Sequence, residues 1–466
     1  MKIIIVGDGK VGFTLAEHLS QEEHDITVID TNDAALRHAS EALDVMCVKG
    51  NGASISALRE SGVDAADVLI AATSMDEVNM VCCLTAKRLG AKYTIARVRN
   101  VEYAMELSLL KEALGIDLVI NPENAAAAEI ARLLRFPPAA NLETFCRGRV
   151  ELIGFRVREE DFLVGHPLSA QSGQLQSLPM LFCAAERAEG DVVIPDGSFV
   201  PQVGDRLYLI GQPTGLTAFF RLLGRHNPRC RNVFLVGGGR IAHYLTAILE
   251  RLGIHVKIIE RSLDRCRHLS EVLPKATVIC GDGTDQELLE EEDVTASDAF
   301  VALTDRDEDN LIISLYAAQL GLSKVITKSN RQNYNRIAQA VGLDSIISPK
   351  QLATSHILQV VRGMQNSQGS VMNALYRIAD GAAEAMEFTV TASTRHLGTP
   401  LRDLSLKPGI LVAVVARGGE IIIPEGSTSI QEGDSVILIS RDRRLQDLND
   451  IYDEGEHTFS APGGMS

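Results

Sequence analysis

The sequence predicts an α/β protein built by tandem duplication, in which a parallel-sheet domain followed by a small α+β module occurs twice. Short apolar strands alternate with amphipathic helices, which is typical of parallel β-α-β units. The opening segment KIIIVGDGKVG (2–12) returns as NVFLVGGGRIA (232–242). A pattern of Ile-Pro-acid-Gly-Ser followed by Gly-Asp occurs in VIPDGSFVPQVGDRLYLIG (193–211) and in IIPEGSTSIQEGDSVILIS (422–440).

The duplication continues between these landmarks. DVLIAATSMDEVNMVCCLTAKRLG (67–90) aligns without gaps with DAFVALTDRDEDNLIISLYAAQLG (298–321), and ten of the 24 positions are identical. A fixed period of this length indicates that the repeated unit is a pair of domains. We therefore expect parallel-sheet domains at 1–137 and 230–365, small modules at 138–225 and 370–452, and a loose tail at 453–466.

Within one unit, the pattern predicts strands at 2–6 and at DITVID, DVMCV, VLIAA, YTIARV and LVI, with helices between them, such as one at 77–89. A proline near its start and Pro137–Pro138 after its end predict a helix at 122–135, with a counterpart at 349–362. The module then shows short strands at LIGFRV, LFCAAER, VVIPDG and RLYLIG, and a helix at 215–224.

Composition excludes several classes of protein. The 466 residues carry a formal net charge of −16, which argues against a general nucleic-acid binder and against adsorption to anionic lipid. No apolar run approaches the roughly 20 residues that a membrane-spanning helix needs, and KIIIV is too short for a signal peptide. The eight cysteines form no C-x-x-C pair, so we expect reduced thiols, no metal site and a cytoplasmic location.

The glycines at 7, 9 and 12 follow a strand and open a helix, the arrangement that holds a pyrophosphate. The first permits a tight bend, the second lets the backbone approach phosphate, and the third lets helix and strand pack closely. The phosphates then lie at the helix N-terminus. Asp30, 18 residues past Gly12, ends the second strand, where a carboxylate accepts the ribose hydroxyls. This favours NAD(H) over NADP(H), and ATP or ADP also fits; a turn kept only for packing is the alternative.

The second copy keeps Gly237, Gly239 and Glu260, with Arg240 in place of Lys10. Its turn predicts a second nucleotide site, and the alternative is a degenerate site without a ligand.

Polar residues at the ends of other strands are further candidates, because ligands bind at the carboxyl ends of parallel strands. Asn51 and Asp282 face either the nucleotide or their own turns. Thr73 and Ser74 either donate hydroxyls or cap the next helix. Arg97 either meets a phosphate or lies in solvent.

No catalytic residue is predicted. A dehydrogenase needs a proton donor beside the nicotinamide, and His166 and His396 lie in turn-like segments typical of surface histidines. No G-x-S-x-G, H-E-x-x-H or Walker A pattern occurs. The sequence favours sensing, in which a nucleotide binds one geometry better than another. An NAD-dependent oxidoreductase is the main alternative, and a cytosolic redox sensor without a membrane partner is the third.

Together, GDGKVG, the TSMDEVN and TDRDEDN segments and the two Ile-Pro-acid-Gly-Ser modules resemble the RCK (KTN) family of regulatory domains with their C-terminal modules. The doubled order resembles the cytoplasmic subunits of bacterial Trk-type potassium uptake systems. The resemblance implies a Rossmann-like fold that binds NAD(H) and adenine nucleotides. It implies these ligand contacts: Gly7, Asp8, Gly9, Lys10, Val11, Asp30, Asn51, Thr73, Ser74 and Arg97 in the first copy, and Gly237, Gly238, Gly239, Arg240, Ile241 and Glu260 in the second.

The resemblance further implies a homotetrameric ring, peripheral on the inner face of the cell membrane, that gates a transmembrane potassium-translocating subunit. It implies that helix 122–135 and its counterpart cross to a neighbouring subunit; an intrachain linker helix is the alternative. The second copy departs from the first at Ala242 and Lys328, which replace Gly12 and Arg97. The ligand of the second copy is therefore left open.

Overall fold

The structure, a computed structural model, describes most of the chain. The residues outside the description are 23, 106–110, 112, 136–140, 176–177, 188, 226–229, 366–369, 443–444 and 454–466. The predicted tail therefore lies outside the described residues except for Asp453.

Six parallel strands form the first sheet, in the order β3-β2-β1-β4-β5-β6. They are β1 (Lys2–Val6), β2 (Asp25–Asp30), β3 (Met46–Lys49), β4 (Val68–Ala71), β5 (Tyr93–Arg97) and β6 (Leu118–Ile120). The helices of this copy are α1 (Lys10–Ser20), α2 (Asp33–Ala42), α3 (Ile55–Glu60), α4 (Asp76–Leu89), α5 (Val101–Met105) and α6 (Pro122–Arg135). Ile3, Ile4 and Ile5 are fully buried, as expected for a central parallel strand covered on both faces.

The second copy repeats this sheet. Its order is β14-β13-β12-β15-β16-β17, the same as in the first copy. The strands are β12 (Asn232–Val236), β13 (His255–Glu260), β14 (Thr277–Cys280), β15 (Ala299–Ala302), β16 (Lys324–Lys328) and β17 (Ser345–Ile347). The helices are α9 (Arg240–Arg251), α10 (Leu263–Val272), α11 (Gln286–Glu291), α12 (Asp307–Gln319), α13 (Gln332–Ala340) and α14 (Pro349–Gln365). Both sheets have the Rossmann-like order, which confirms the predicted fold class.

The helix that follows the first sheet contacts the second copy. Helix α6 packs against α9, and its small side chains Ala126, Ala127 and Ala131 are buried. Just before α6, the Asn121 Nδ2 donates to the Tyr244 hydroxyl of α9 over 2.9 Å. Within this chain, therefore, helix 122–135 joins the two sheet domains to each other. Both predicted helices are confirmed, and the second continues three residues further, to Gln365.

The two small modules are antiparallel sheets. The first has the order β10-β9-β11-β8-β7 and the second the order β18-β19-β22-β20-β21. The strands are β7 (Asn141–Phe145), β8 (Val150–Arg156), β9 (Met180–Glu186), β10 (Val192–Val193), β11 (Arg206–Gly211), β18 (Val371–Ile378), β19 (Ala383–Thr389), β20 (Ile410–Arg417), β21 (Glu420–Ile422) and β22 (Ser435–Ser440). The described part of the first module contains the helices α7 (Ser172–Leu175) and α8 (Pro213–Leu222).

The two sheet domains pack together, and the two modules pack together. One compact unit comprises residues 1–142 and 224–361, which are the two sheet domains, and the other comprises residues 143–223 and 362–466, which are the two modules. The modules share one apolar core, to which Leu152 and Tyr208 of the first and Ile437 and Ile439 of the second contribute. Among the described residues, no helix is both long enough and apolar enough to cross a bilayer.

Candidate functional site

In the first glycine turn, residues 7–12, the space available for a side chain differs at each glycine. Gly7 has φ +98°, and a Cβ there would lie 2.8 Å from the Thr73 backbone nitrogen. A Cβ at Gly12 would lie 1.8 Å from the carbonyl oxygen of Gly7, so only glycine fits this approach of α1 to the turn. At Gly9 a Cβ would meet no atom within 4 Å. The middle of the turn therefore faces open space, as an approaching phosphate requires.

The second turn, residues 237–242, keeps the bend and the open middle of the first turn. Gly237 has φ +102°, and a Cβ at Gly239 would again meet no atom within 4 Å. Ala242 occupies the position of Gly12 and is fully buried. The open glycine and the bend are thus retained although the third glycine is replaced.

Both turns lead directly into the helices α1 and α9. Gly9 and Gly239 are the N-cap residues, so neither cap offers a side-chain oxygen to the free N–H groups. No acidic residue occupies the first turn of either helix. Lys10 and Arg240 are the first helical residues and are exposed. The two helix N-termini thus combine unpaired N–H groups, positive dipole ends and a cation, which together favour an anion.

The acids that end β2 and β13 are hydrogen-bonded to the turns. Asp30 accepts from the backbone N–H groups of Asp8 at 2.6 Å and Asn32 at 2.8 Å. Glu260 accepts from Gly238 at 2.8 Å and Ser262 at 2.7 Å. Each carboxylate therefore fixes the middle of its glycine turn. The predicted contact with ribose hydroxyls stays a prediction.

Asp8 distinguishes the first turn from the second, where Gly238 stands. Its side chain is buried, and neither carboxylate oxygen has a hydrogen-bond partner among the described residues. Burial and the nearby Asp30 carboxylate raise the pKa of Asp8 from 3.8 to about 6, against the opposing effect of His38. A Cβ at Gly238 would lie 2.5 Å from the Leu269 side chain, so an equivalent side chain in the second turn would require Leu269 to shift.

A buried asparagine in each copy joins the ends of two strands, a role that the sequence analysis did not assign. The Asn79 Oδ1 accepts from the backbone N–H of Thr73 at 2.8 Å and from its hydroxyl at 2.7 Å, and the Asn79 Nδ2 donates to the carbonyl of Arg97 at 2.8 Å. Asn310 makes the same bonds to Thr304 and to the carbonyl of Lys328, at 2.8, 2.7 and 3.0 Å. The sequence did carry a signal for this role, because asparagine occupies the same position, 79 and 310, in the two aligned repeats.

Thr73, Ser74 and Arg97 lie together beside the first turn. The Thr73 hydroxyl is committed to Asn79, whereas Ser74 is exposed. The Arg97 Nη2 donates to the Thr73 carbonyl over 2.7 Å, and burial lowers the pKa of Arg97. The carboxylate of Asp76, the first residue of α4, accepts from the backbone N–H groups of Arg99 and Asn100, each at 2.8 Å.

Asn51 and Asp282 stabilise their own turns. The Asn51 Oδ1 accepts from the backbone N–H of Ala53 at 3.0 Å. The Asp282 Oδ1 accepts from the backbone N–H and the hydroxyl of Thr284, at 3.0 and 2.8 Å. Of the two alternatives for these residues, turn formation is observed, and nucleotide contact stays a prediction.

Cations of the two copies approach each other within the unit that contains both sheets. Arg240 of the second turn acts on the pKa of Arg97, and Lys10 of the first turn acts on the pKa of Lys328, in both cases lowering it as a like charge does. In both groups burial is the largest cause of the lowered pKa. Each turn's cation therefore acts on the fifth-strand cation of the other copy, and the Glu123 carboxylate acts more strongly on both Arg97 and Lys328, in the opposite direction.

Across the residues that the structure describes, no group of three or more His, Cys, Asp or Glu side chains is arranged to hold a metal ion. Seven of the eight cysteines are buried or half-buried, and Cys280 is exposed.

The fold and the turns define a tandem Rossmann-like protein of the dinucleotide-binding type. The TrkA-N domain model matches residues 3–122 and 233–349, and the TrkA-C domain model matches residues 385–452. The chain belongs to the TrkA potassium uptake protein family.

Its relatives match over nearly their whole length. The Trk system potassium uptake protein TrkA of Halomonas elongata is 37% identical over 461 residues, which cover 98% of this chain and 99% of that protein. A TrkA homolog of Methanosarcina mazei is 33% identical over 463 residues, 97% of this chain and 100% of that protein. A solved GsuK channel bound to NAD is similar in fold, with a TM-score of 0.60 and 20% identity over 94% of this chain and 76% of that one.

Proposed function

We propose that this chain is a nucleotide-sensing, non-catalytic regulatory subunit that binds NAD(H), and also ATP or ADP, and gates a transmembrane potassium uptake protein. The observation that carries the proposal is the repeated turn. Each copy presents an open glycine at a helix N-terminus, a cation beside it and a carboxylate at the end of the neighbouring strand. We propose further that the chain acts as a homotetramer on the cytoplasmic face of the membrane.

In this proposal the residues of each site divide the ligand between them. The backbone of the glycine turn and the helix N-terminus hold the phosphates, because they offer unpaired N–H groups. Asp30 and Glu260 hold the ribose while they fix the turn. The proposed contacts of the first copy are Gly7, Asp8, Gly9, Lys10, Val11, Asp30, Asn51, Thr73, Ser74 and Arg97. Those of the second are Gly237, Gly238, Gly239, Arg240, Ile241 and Glu260.

The proximity of the cations suggests how binding becomes motion. Arg240 acts on Arg97 and Lys10 acts on Lys328 as like charges between the copies, beside larger attractive effects of carboxylates such as Glu123. A nucleotide phosphate placed between them would relieve that repulsion and favour the closed arrangement of the two sheets. A ligand shifts a conformational equilibrium only by its difference in affinity for the two states, and this contact supplies such a difference.

A complementation experiment tests the function. A strain lacking this chain is grown at limiting potassium, and uptake of rubidium is followed after expression of the wild-type chain or of an Asp30→Ala, Glu260→Ala double variant. We expect the wild-type chain to restore rubidium uptake and its regulation by nucleotides. We expect the double variant to lose the regulation by nucleotides. Asp33→Ala, on the exposed face of α2, is the matched control. Rubidium uptake that is unaffected by deletion of the chain would contradict the proposal.

A further inference from the structure

Two thiols lie side by side in the second copy. Cys266 lies on α10 and is buried, and Cys280 ends β14 and is exposed. The Cys266 thiol lies 3.9 Å from the carbonyl oxygen of Ile279, the residue before Cys280, and the Cys280 side chain also acts on the pKa of Cys266. Thiols that interact in this way need little movement to reach the sulfur–sulfur bond length of about 2 Å.

This thiol pair is attached to the acid of the second site. The Cys266 thiol donates to the carbonyl oxygen of Glu260 at 3.2 Å. The same carbonyl accepts from the backbone N–H of Gly281, the residue after Cys280, at 3.0 Å. Cys280 is also the register partner of Glu260 across the two parallel strands. A change at either sulfur therefore acts directly on the residue that fixes the second glycine turn.

The first copy lacks this chemistry at the same place. Leu36 and Lys49 occupy the positions of Cys266 and Cys280, while the backbone N–H of Gly50 still donates to the Asp30 carbonyl at 2.9 Å. The half-buried Cys47 of that copy donates instead to the carbonyl of Leu36. The backbone scaffold is thus common to both copies, and the thiol pair belongs to the second copy alone.

We propose that Cys266 and Cys280 are a redox modification site, at which a peroxide forms a reversible disulfide that weakens nucleotide binding in the second copy. The effect on binding rests on the proposed function, whereas formation of the disulfide does not. Disulfides of intracellular proteins are typically transient and redox-sensing, which is the role assigned here.

The chemistry is a two-electron oxidation by one peroxide. The exposed Cys280 loses its proton and attacks a peroxide oxygen, so that the O–O bond breaks, one water leaves and Cys280 becomes a sulfenic acid. The Cys266 sulfur then attacks the Cys280 sulfur, the S–O bond breaks, and the second water leaves with the Cys266 proton. Burial raises the pKa of Cys266 to about 11, so its thiol keeps its proton until the second step, in which that proton leaves with the water. Two thiols and one peroxide give one disulfide and two waters.

The disulfide removes the S–H donor from the Glu260 carbonyl and draws α10 toward β14. The Glu260 carboxylate, which accepts from Gly238 and Ser262, then loses its fixed position beside the turn. We expect the affinity of the second site for NADH to fall about tenfold, the effect of losing one hydrogen bond to a charged group. The first site serves as an internal reference.

The experiment treats the purified full chain with graded hydrogen peroxide, blocks remaining thiols and maps the peptides by mass spectrometry. We expect a peptide that links Cys266 to Cys280, lost on reduction with dithiothreitol, absent in Cys280→Ser and retained in the matched control Cys47→Ser. Cys280 recovered only as sulfinic or sulfonic acid, or linked to another cysteine, would overturn the proposal.

NADH titrations of the reduced and oxidised chain then measure the consequence. We expect one of two sites to weaken on oxidation, and Cys280→Ser to be insensitive to peroxide. A mapped disulfide that leaves both affinities unchanged would overturn the coupling to the nucleotide site. A reduced chain that binds no NADH would contradict the proposed function, and the peptide map would still decide the disulfide.

Discussion

Asp8 is a buried carboxyl without a hydrogen-bond partner among the described residues, inside a turn that we propose holds phosphate. Its pKa is raised in the folded state, so its protonated form is favoured there. The folded state is therefore penalised as pH rises from the ordinary pKa near 4 through about 6, and the penalty is constant at higher pH. Replacing the carboxyl with an amide removes this penalty.

We accordingly expect Asp8→Asn to raise the free energy of unfolding by about 1–3 kcal/mol at pH 8 and to change it little at pH 4. Urea denaturation at the two pH values measures the difference. Asp33→Asn is the control, because its hydrogen bond with Lys49 lowers the pKa of Asp33, so this change should not stabilise the protein. An equal effect of Asp8→Asn at both pH values would show that the charge of Asp8 is irrelevant to stability.

Replacing Asp30 is expected to weaken nucleotide binding at the first site. Asp30→Ala leaves the backbone N–H groups of Asp8 and Asn32 without their acceptor, so the turn loosens and a proposed ribose contact is lost. We expect the affinity of the first site for NADH to fall by about 1–3 kcal/mol, measured by calorimetry with Asp33→Ala as the control. Unchanged affinity would remove Asp30 from the site.

At the residue scale, the glycines could be predicted because their role is local. A bend, an open approach and a close helix contact are constraints of a few neighbouring residues. The state of Asp8, the bonds of Asn79 to Thr73 and Arg97, and the approach of Arg240 to Arg97 depend on residues far apart in the chain. Sequence spacing carries no direct signal for such contacts.

At the scale of elements, the bonds of Asn79 and Asn310 tie a helix to the ends of two strands in each copy. Asn79→Ala removes a buried side chain that bonds to Thr73 and Arg97 at once. We expect a loss of roughly 2–4 kcal/mol of stability, measured by chemical denaturation. Val81→Ala, on the exposed side of the same helix α4, should change stability little. A loss no larger than that of Val81→Ala would contradict the role of Asn79.

Strands of the parallel sheets were predicted closely, since continuous apolar runs such as Lys2–Val6 and Asp25–Asp30 have a strong signal. The modules were predicted less well. Strands β7 and β18 were missed, and the segment VVIPDG contributes only the two-residue strand Val192–Val193. These three lie at the edges of their sheets, where one neighbouring strand is absent and the apolar pattern is weaker.

At the scale of the whole molecule, duplication predicted two similar halves but not which parts associate. The sheet domains group together through the contact of α6 with α9, and the modules group together around one apolar core. This grouping lets the cation of each turn act on the fifth-strand cation of the other copy, which repetition alone does not predict. The boundaries proposed for the four domains stay predictions.

The most direct test of the account is a calorimetric titration of the full chain with NADH, followed by recovery of the nucleotide. We predict saturable binding of two NADH per chain, and recovery of the NADH unchanged after incubation, because binding is used for motion and not for chemistry. No saturable binding, or NADH consumed by the purified chain, would contradict it.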